Sequence, residues 1–161
     1  MPGQETFFPS FSFVPEYHRS WDDGKYLFDF VPSFRFDYED SERNLVDIQE
    51  LAWIRVREDW EFRVGVRKVF WGVTESRHLV DVINQVDFTE GLDGEEKLGQ
   101  PMLNLSFSRN WGVFDIFFLP GFRERSFPGV NARPSLPFVI HEDSPGFESG
   151  AENYRFDFAF R

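Results

Sequence analysis

The stretch from Tyr26 to Tyr38 limits what this chain can fold into more than any other part of it. Its even positions are aromatic or proline, whereas its odd positions include Asp29, Arg35 and Asp37. A period of two is typical of a β-strand with one apolar and one polar face. At about 3.3 Å per residue the stretch is roughly 43 Å long, far beyond an average strand. Tyrosine at both ends, with phenylalanine between, is the order of an aromatic girdle around a lipid-facing band.

The same alternation recurs along the chain. We predict about seven strands, near residues 6–18, 25–38, 44–57, 60–71, 102–109, 112–119 and 153–161. Connections after the odd-numbered strands are tight, as at Asp23-Gly24, whereas those after the even-numbered strands are longer, with long loops at 72–101 and 120–152. Short turns at one rim and long loops at the other are typical of outer-membrane barrels. The predicted fold is all-β: an antiparallel up-and-down meander forming a partial transmembrane β-barrel, one domain over residues 1–161.

The composition combines two extremes. Aromatic residues make up 19% of the chain, with 22 Phe, yet 28% of residues are charged and the mean hydropathy is -0.42. Strands with one face in lipid and the other in water need both extremes. A soluble barrel or sandwich that binds an apolar ligand inside its aromatic face is the alternative. It is less favoured because so many aromatic side chains would overfill a small barrel.

Charge and the absence of cysteine exclude several classes of protein. The net charge of -11 argues against nucleic-acid binding, which needs a surplus of Lys and Arg on one face. Without Cys the chain has neither disulfides nor thiolate metal ligands. It contains no apolar run of about 18 residues, and its first residues, MPGQETFF, do not show the basic and then apolar pattern of a signal peptide. We interpret it as a fragment of a longer protein, and expect the remainder of the barrel or other protomers to close it, because an open sheet edge is not viable in lipid.

Charged residues at the non-aromatic strand positions form a candidate pore wall. They are Asp29, Arg35, Asp47, Arg55, Arg57, Glu61, Arg63, Arg67, Asp115, Arg155 and Asp157. Such a wall would sort solutes by electrostatics. The same residues could instead form cross-strand ion pairs that fill the lumen. The sequence fits both interpretations equally.

The first long loop contains one apolar stripe. Leu79, Val82, Ile83 and Val86 have the spacing of a helix face, which predicts a short helix over 77–84. A mobile loop has no need of such a stripe, so we expect an ordered segment that leans inward as a constriction. The candidate constriction residues are Glu75, Arg77, His78, Asp81, Asn84 and Asp87.

Catalysis and metal binding have weaker support in the same loop. His78 with Asp81 and Glu75 could form a proton relay or a metal site, which makes a barrel enzyme with a rim site a further alternative. The spacing is generic, however. The acidic run from Asp87 to Glu96 lacks the spacing of a twelve-residue calcium loop and is better read as a solvated loop. We therefore predict no catalytic residue, metal or cofactor.

The run Val64 to Gly72, VGVRKVFWG, followed by Val82 to Asp87, VINQVD, resembles a family of uncharacterised proteobacterial outer-membrane porin-like barrels. Members show a Gly-x-Arg strand ending in Trp-Gly and then a Val-Ile-Asn-Pro-x-Asp-like segment. The resemblance is specific from about residue 63 to 128, and this chain has Gln85 where the family pattern often has proline. It implies the outer membrane of a Gram-negative bacterium, contact with its lipid, and passive transport of small solutes through a porin-like channel. No catalytic residue is carried over.

Overall fold

The computed structural model describes residues 9–70, 82–91, 93–129 and 150–161, and it places their strands in one antiparallel sheet. The predicted all-β antiparallel meander is therefore confirmed. The described part contains no helix long and apolar enough to cross a membrane. Two 3-10 helices occur in it, η1 Ser41–Arg43 and η2 Glu152–Tyr154. The strands are β1 Ser10–Phe13, β2 Tyr17–Trp21, β3 Tyr26–Asp37, β4 Leu45–Val56, β5 Trp60–Arg67, β6 Gln100–Arg109, β7 Gly112–Leu119 and β8 Asp157–Phe160.

Strands β1 and β2 lie one after the other along the same edge of β3. The register of β1 with β3 continues into that of β2 with β3, so Pro15 falls opposite Pro32. Neither proline has an N–H group, so this rung of the ladder cannot form. The strand predicted over 6–18 is split in two for this reason. The sheet is seven strands wide and open, with β1 and β2 at one edge and β8 at the other.

The connections alternate in length along the meander. Residues 22–25, 57–59 and 110–111 join strands at one end of the sheet, which we term the turn rim. Residues 38–44, 68–99 and 120–156 join strands at the opposite end, the loop rim. In the first tight turn Asp22, Asp23 and Gly24 have φ values of 54°, 52° and 80°. Asp and Gly are among the residues that adopt positive φ most readily, which explains the tight reversal there.

Strand β4 contains a β-bulge. Val31 of β3 pairs with Glu50, but the next residue, Pro32, pairs with Ile48, which leaves Gln49 as an extra residue. An extra residue in one strand of an antiparallel pair shifts the alternation of side chains by one position. After the bulge, the odd-numbered residues of β4 therefore lie on the face that its even-numbered residues occupy before it.

The bulge corrects the predicted faces of two arginines. Arg55 and Arg57 were predicted on the charged face, but Arg55 lies opposite Tyr26 and Phe62 on the aromatic face. The Arg57 guanidinium also lies over the Tyr26 ring, 5.7 Å from its centroid. Uninterrupted alternation gave the wrong face because it did not include the inserted residue. Glu50, which interrupts the apolar face in the sequence, lies on the polar face for the same reason.

The polar face of the sheet contains buried charged residues, and the aromatic face contains exposed phenylalanines. A sheet in water normally has the opposite arrangement. On the polar face Arg35 is 7% exposed and Asp115 is 2% exposed. On the aromatic face Phe36, Phe158 and Phe160 are 53%, 60% and 59% exposed. A one-sided antiparallel sheet in water normally buries its apolar side chains and exposes its charged ones. Here Arg35 and Asp115 are buried, and the phenylalanines are exposed.

Two glycines are required where backbone segments approach each other closely. Gly65 in β5 has φ of +137°, and a Cβ there would lie 1.8 Å from the Leu51 carbonyl oxygen. A Cβ at Gly99 would lie 2.7 Å from the Gln49 carbonyl oxygen and 2.8 Å from that of Ile48. The chain entering β6 therefore packs directly against the bulge of β4, beyond the end of the β4–β5 pairing.

Candidate functional site

The polar face carries most of the predicted pore-wall residues. Those on it are Asp29, Arg35, Asp47, Glu61, Arg63, Arg67, Asp115 and Asp157. Arg155 lies between η2 and β8, where it is exposed and its Nη2 is 3.3 Å from Asp157. The sheet thus brings these charges onto one surface, with Arg55 and Arg57 on the other side.

The charges in the middle of the polar face are arranged in pairs. Arg67 Nε lies 3.5 Å from Glu50 Oε1 across the β4–β5 ladder. Arg63, four residues before Arg67 on the same strand, pairs with Glu61 and donates from Nη1 to Asn104 Oδ1 at 2.7 Å. Burying an isolated charge costs several kcal/mol, so buried arginines need such partners. Glu50 of β4 and Asn104 of β6 are supplied by neighbouring strands, whereas Glu61 lies on β5 itself.

Another ion pair lies near the β8 edge. Arg161 donates from Nη2 and Nε to Asp115 Oδ2 at 2.7 and 3.0 Å. The backbones of the same two residues exchange hydrogen bonds, so the pair also extends the β7–β8 ladder by one rung. This contact fixes Asp115, one of the most deeply buried side chains of the polar face.

Residues 82–91 pack against the polar face instead of extending away from it. Ile83, which is 3% exposed, forms a small apolar cluster with Met102 and Phe117. Met102 and Phe117 occupy polar-face positions in β6 and β7. The described part of the predicted constriction loop therefore sits on the surface that carries the charges.

Asn84 fastens this segment to the ends of two strands. Its Nδ2 donates to the carbonyl oxygens of Arg67 at 2.8 Å and Leu98 at 2.9 Å, and its Oδ1 accepts from the Val69 N–H at 2.8 Å. One buried side chain thus joins the end of β5 to the approach of β6. Val82–Asn84 are not helical, and the rest of the predicted helix over 77–84 lies outside the described residues. So do the candidate constriction residues Glu75, Arg77, His78 and Asp81.

Arg35 makes the most connected contact between the segment and the sheet. Its Nη2 lies 3.3 Å from Asp87 Oδ2 and also donates to the Thr89 hydroxyl, while its Nη1 donates to Glu90. Its Nε donates to the Arg43 carbonyl oxygen at 2.9 Å. We term Arg35, Asp87, Thr89 and Glu90 the Arg35 cluster. It connects β3 with residues more than fifty positions away in sequence.

Asp87 is held ionised within this cluster. Its Oδ1 accepts from the Thr89 N–H at 3.0 Å, the Thr89 hydroxyl at 2.5 Å and the Ser126 hydroxyl at 3.1 Å. Burial alone would raise the pKa of Asp87. The Thr89 hydrogen bonds and the positive charge of Arg35 outweigh burial, so the pKa lies below its usual value. The ionised carboxylate therefore favours the docked position of the segment.

A polar cavity of about 250 Å³ remains between the segment and the sheet. Charged side chains of both signs line it, including Arg35, Asp47, Lys68 and Glu96. This volume would hold several waters or a small polar molecule. A larger concavity of about 830 Å³ lies mainly on the aromatic face, lined by residues such as Pro32, Val46, Ile48 and Phe122. It is wide open and its lining is mostly apolar, although Asp47 and Arg123 also line it, so we regard the smaller, charge-lined cavity as the relevant one.

One histidine contact was not anticipated. His18 Nδ1 lies 2.8 Å from Asp29 Oδ1, and its Nε2 lies 3.3 Å from Glu16 Oε2. Extending the period of two through Pro15 places His18 opposite Asp29, which is the signal that could have found this pair. Among the described residues no group of three or more His, Cys, Asp or Glu is placed to hold a metal ion.

Several uncharged or misassigned residues of the polar face were also missed. Asn104 and Gln100 are 1% and 3% exposed on β6. Alternation alone places Asn104 on this face, but an amide was not counted as a wall residue. Glu50 was missed because the bulge is not visible in the alternation. Thr89 contacts Arg35 from a distant part of the chain, and no local pattern predicts that contact.

Comparison of the chain with protein-family models, curated proteins and solved structures finds no match. The resemblance to porin-like barrels therefore stays a prediction.

Proposed function

We propose that this chain forms part of an outer-membrane β-barrel of a Gram-negative bacterium that acts as a porin-like passive channel for small solutes. The observation that carries the proposal is the inverted burial of the sheet. Arg35, Asp37 and Asp115 are buried on one face, whereas Phe36 and Phe160 are exposed on the other. A lipid-facing aromatic surface and a polar lumen account for both halves of this pattern.

The amount of exposed aromatic surface supports a lipid environment. Large apolar residues of the strands and their flanks that are at least half exposed include Phe11, Phe13, Tyr17, Phe36, Tyr38, Val46, Trp111, Val113, Phe156, Phe158 and Phe160. Nearly all of those in strands belong to the aromatic face. Soluble monomers rarely expose contiguous apolar patches larger than a few hundred Å². In a bilayer the same surface meets acyl chains and needs no cover.

The soluble alternative predicts the opposite arrangement. A barrel or sandwich that holds an apolar ligand would enclose Phe28, Phe30 and Phe34 and expose Arg35 and Asp37. In the structure Arg35 and Asp37 are buried, and the phenylalanines are partly exposed. The rim-enzyme alternative depends on His78, which lies outside the described residues. No specific observation favours either function over the channel.

Residues 82–91 would narrow the lumen of such a channel. They are held on the polar face by Asn84 and by the Arg35 cluster, and they leave a cavity of about 250 Å³ lined by both signs of charge. A packed segment with a polar cavity beside it suits small hydrophilic solutes. The paired charges of Arg63 with Glu61 and Arg67 with Glu50 would create an electric field across the path of the solute.

Closure of the barrel requires further strands. Both edges of the described sheet present unpaired backbone groups, which lipid cannot satisfy. We propose that the remainder of the barrel, or strands of other protomers, pairs with β1 and β2 on one side and β8 on the other. The turn rim would then face the periplasm and the loop rim the outside, as in known barrels of this kind.

Reconstitution into planar bilayers tests the channel function. We expect discrete conductance steps, and we expect Arg63→Gln with Arg67→Gln to shift selectivity toward cations, because two positive charges leave the polar face. Arg125→Gln with Arg155→Gln removes the same charge from exposed loop-rim positions and should shift selectivity far less. A protein that stays monodisperse without detergent would contradict the membrane proposal. Equal selectivity of both double variants and the parent would show that Arg63 and Arg67 do not face the path.

A further inference from the structure

The aromatic face carries charge only near the turn rim. Among the described strand residues on this face the charged ones are Arg19, Arg55 and Arg109, in β2, β4 and β6. Arg57 follows directly after β4 on the same side. All four are arginines, although the chain as a whole has a net charge of -11. A random scatter of charge on this surface would include carboxylates and would reach the middle of the strands.

These arginines lie among the aromatic residues of the turn rim. The Arg55 guanidinium carbon lies 5.8 Å from the Tyr26 ring centroid and 5.6 Å from that of Trp60. Trp21 stacks on Tyr26 at 5.8 Å, with an angle of 10° between the rings. We term Arg19, Arg55, Arg57 and Arg109, together with Trp21, Tyr26, Trp60 and Trp111, the rim belt. The Tyr26 and Trp60 rings hold the guanidinium groups of Arg55 and Arg57 at a fixed height on the face.

Most of the belt arginines lack a carboxylate partner among the described residues. Arg109 pairs with Asp59 at 3.1 Å, but no ion pair is formed by Arg19, Arg55 or Arg57 in the described part of the chain. The acidic residues of this rim, including Asp22 and Glu58, lie in the turns beyond the strands. The belt is therefore a cationic layer between an apolar band and polar turns.

We propose that the rim belt binds the phosphate groups of phospholipid headgroups in the membrane leaflet at the turn rim. This inference rests on the membrane location proposed above. Guanidinium matches phosphate oxygens in planar, bidentate geometry, and the long arginine side chain lets its charged end reach the interface from an apolar surface. Tryptophan and tyrosine also favour the headgroup level. Charge, geometry and depth thus point to the same partner.

The loop rim provides an internal comparison. There the aromatic face presents Phe11, Phe36 and Phe158, and its described strand positions carry no arginine or lysine. The cations near that rim, such as Arg35 and Arg123, lie among carboxylates of the polar side and adjoining loops. The two rims therefore offer different chemistry to a membrane. Among the described residues, the guanidinium groups without an ion pair that lie on the aromatic face, those of Arg19, Arg55 and Arg57, are at the turn rim.

Native mass spectrometry of the full chain in dodecyl maltoside, a detergent without phosphate, tests this proposal. The parent protein is mixed with dioleoylphosphatidylglycerol or with dioleoylglycerol, which has the same acyl chains and no phosphate. We expect phosphatidylglycerol to be retained about tenfold better or more, equivalent to at least about 1.4 kcal/mol. Equal retention of the two lipids would overturn the proposal, and this comparison needs no variant.

Variants locate the binding. Arg19→Gln, Arg55→Gln and Arg57→Gln combined should remove most of the preference for phosphatidylglycerol, whereas Arg125→Gln with Arg155→Gln at the loop rim should keep it. If the triple variant does not fold, Arg19→Gln alone should still lower the preference, because Arg19 is exposed and unpaired. If the belt variants keep the preference for phosphatidylglycerol, the rim belt is not the site that binds the phosphate. A protein that folds in neither maltoside nor vesicles would instead contradict the proposed membrane function.

Discussion

On the polar face, Arg35 and Asp115 are almost fully buried, whereas on the aromatic face Phe36 and Phe160 keep more than half of their surface exposed. The polar face is held by directed contacts, such as Arg67 with Glu50 and Arg63 with Asn104. The described part of the aromatic face has mainly ring contacts, such as the Phe118–Phe158 pair at 5.2 Å, and its few directed contacts, such as Arg109 with Asp59, lie at the turn rim. One face therefore depends on precise geometry, and the other depends on the solvent around it.

The largest expected effect comes from a substitution at the closest backbone approach on the polar face. Gly65→Ala should lower the free energy of unfolding by at least about 4 kcal/mol, because its Cβ would lie 1.8 Å from the Leu51 carbonyl oxygen. Gly112→Ala is the matched control, with φ of +150° and no atom within 4 Å of its added Cβ. It should cost about 1–3 kcal/mol for backbone strain alone.

Urea titration in detergent, followed by tryptophan fluorescence, measures both variants. Similar losses at Gly65 and Gly112 would mean that close packing of β4 on β5 does not set the difference. That result would contradict the claim that the polar face depends on precise geometry.

A charge introduced on each face in turn tests the role of the solvent. Leu105 and Ser106 are neighbours in the middle of β6, on the aromatic and polar faces respectively. In lipid bilayers Leu105→Lys should cost about 2–4 kcal/mol, the range for a lysine facing the bilayer midplane. Ser106→Lys should cost much less, because it faces polar groups. Equilibrium unfolding in vesicles gives both values, and a Leu105→Lys protein as stable as its parent would show that the aromatic face is not in lipid.

A smaller and more local effect is expected at the Arg35 cluster. Asp87→Asn removes the buried charge that pairs with Arg35. The free energy needed to open residues 82–91 should therefore fall by about 1–3 kcal/mol. Glu90→Gln is the control, because the Glu90 side chain is 48% exposed and its pairing is screened by water. Hydrogen exchange of amides 82–91 should accelerate strongly in Asp87→Asn and weakly in Glu90→Gln.

The pH dependence of this opening follows from Asp87. Its pKa is lowered in the docked state from the ordinary value of 3.8. Docking therefore gains stability from Asp87 that is fully present above that value and is lost as the pH falls through the lowered pKa. Exchange corrected for its intrinsic rate should be constant from about pH 7 to pH 5 and should rise only in stronger acid. Asp87→Asn should not show this rise, and an equal rise in the variant would assign it to other groups.

Much of the fold could be predicted because it depends on local alternation. In β3 the sequence places Phe34 on one side and Arg35 on the other without any knowledge of neighbouring strands, and the register agrees. The tight turn at Asp23-Gly24 is local in the same sense, since its residues tolerate positive φ.

Other features depend on contacts between distant segments and could not be predicted in this way. Whether Pro15 meets Pro32 depends on the register of two strands, and neither proline alone breaks the pattern. The extra residue at Gln49 is accommodated by Gly99, fifty positions later. The Arg35 cluster likewise joins β3 to residues 87–90, so its members share no sequence pattern.

The bulge at Gln49 divides β4 into two halves whose side chains alternate between the faces in opposite order. Before the bulge the even-numbered residues Val46 and Ile48 lie on the aromatic face. After it the odd-numbered residues Leu51 and Trp53 lie there. Removing that one residue would turn the whole C-terminal half of the strand over. The orientation of an entire half-strand therefore depends on a position whose own side chain has little part in it.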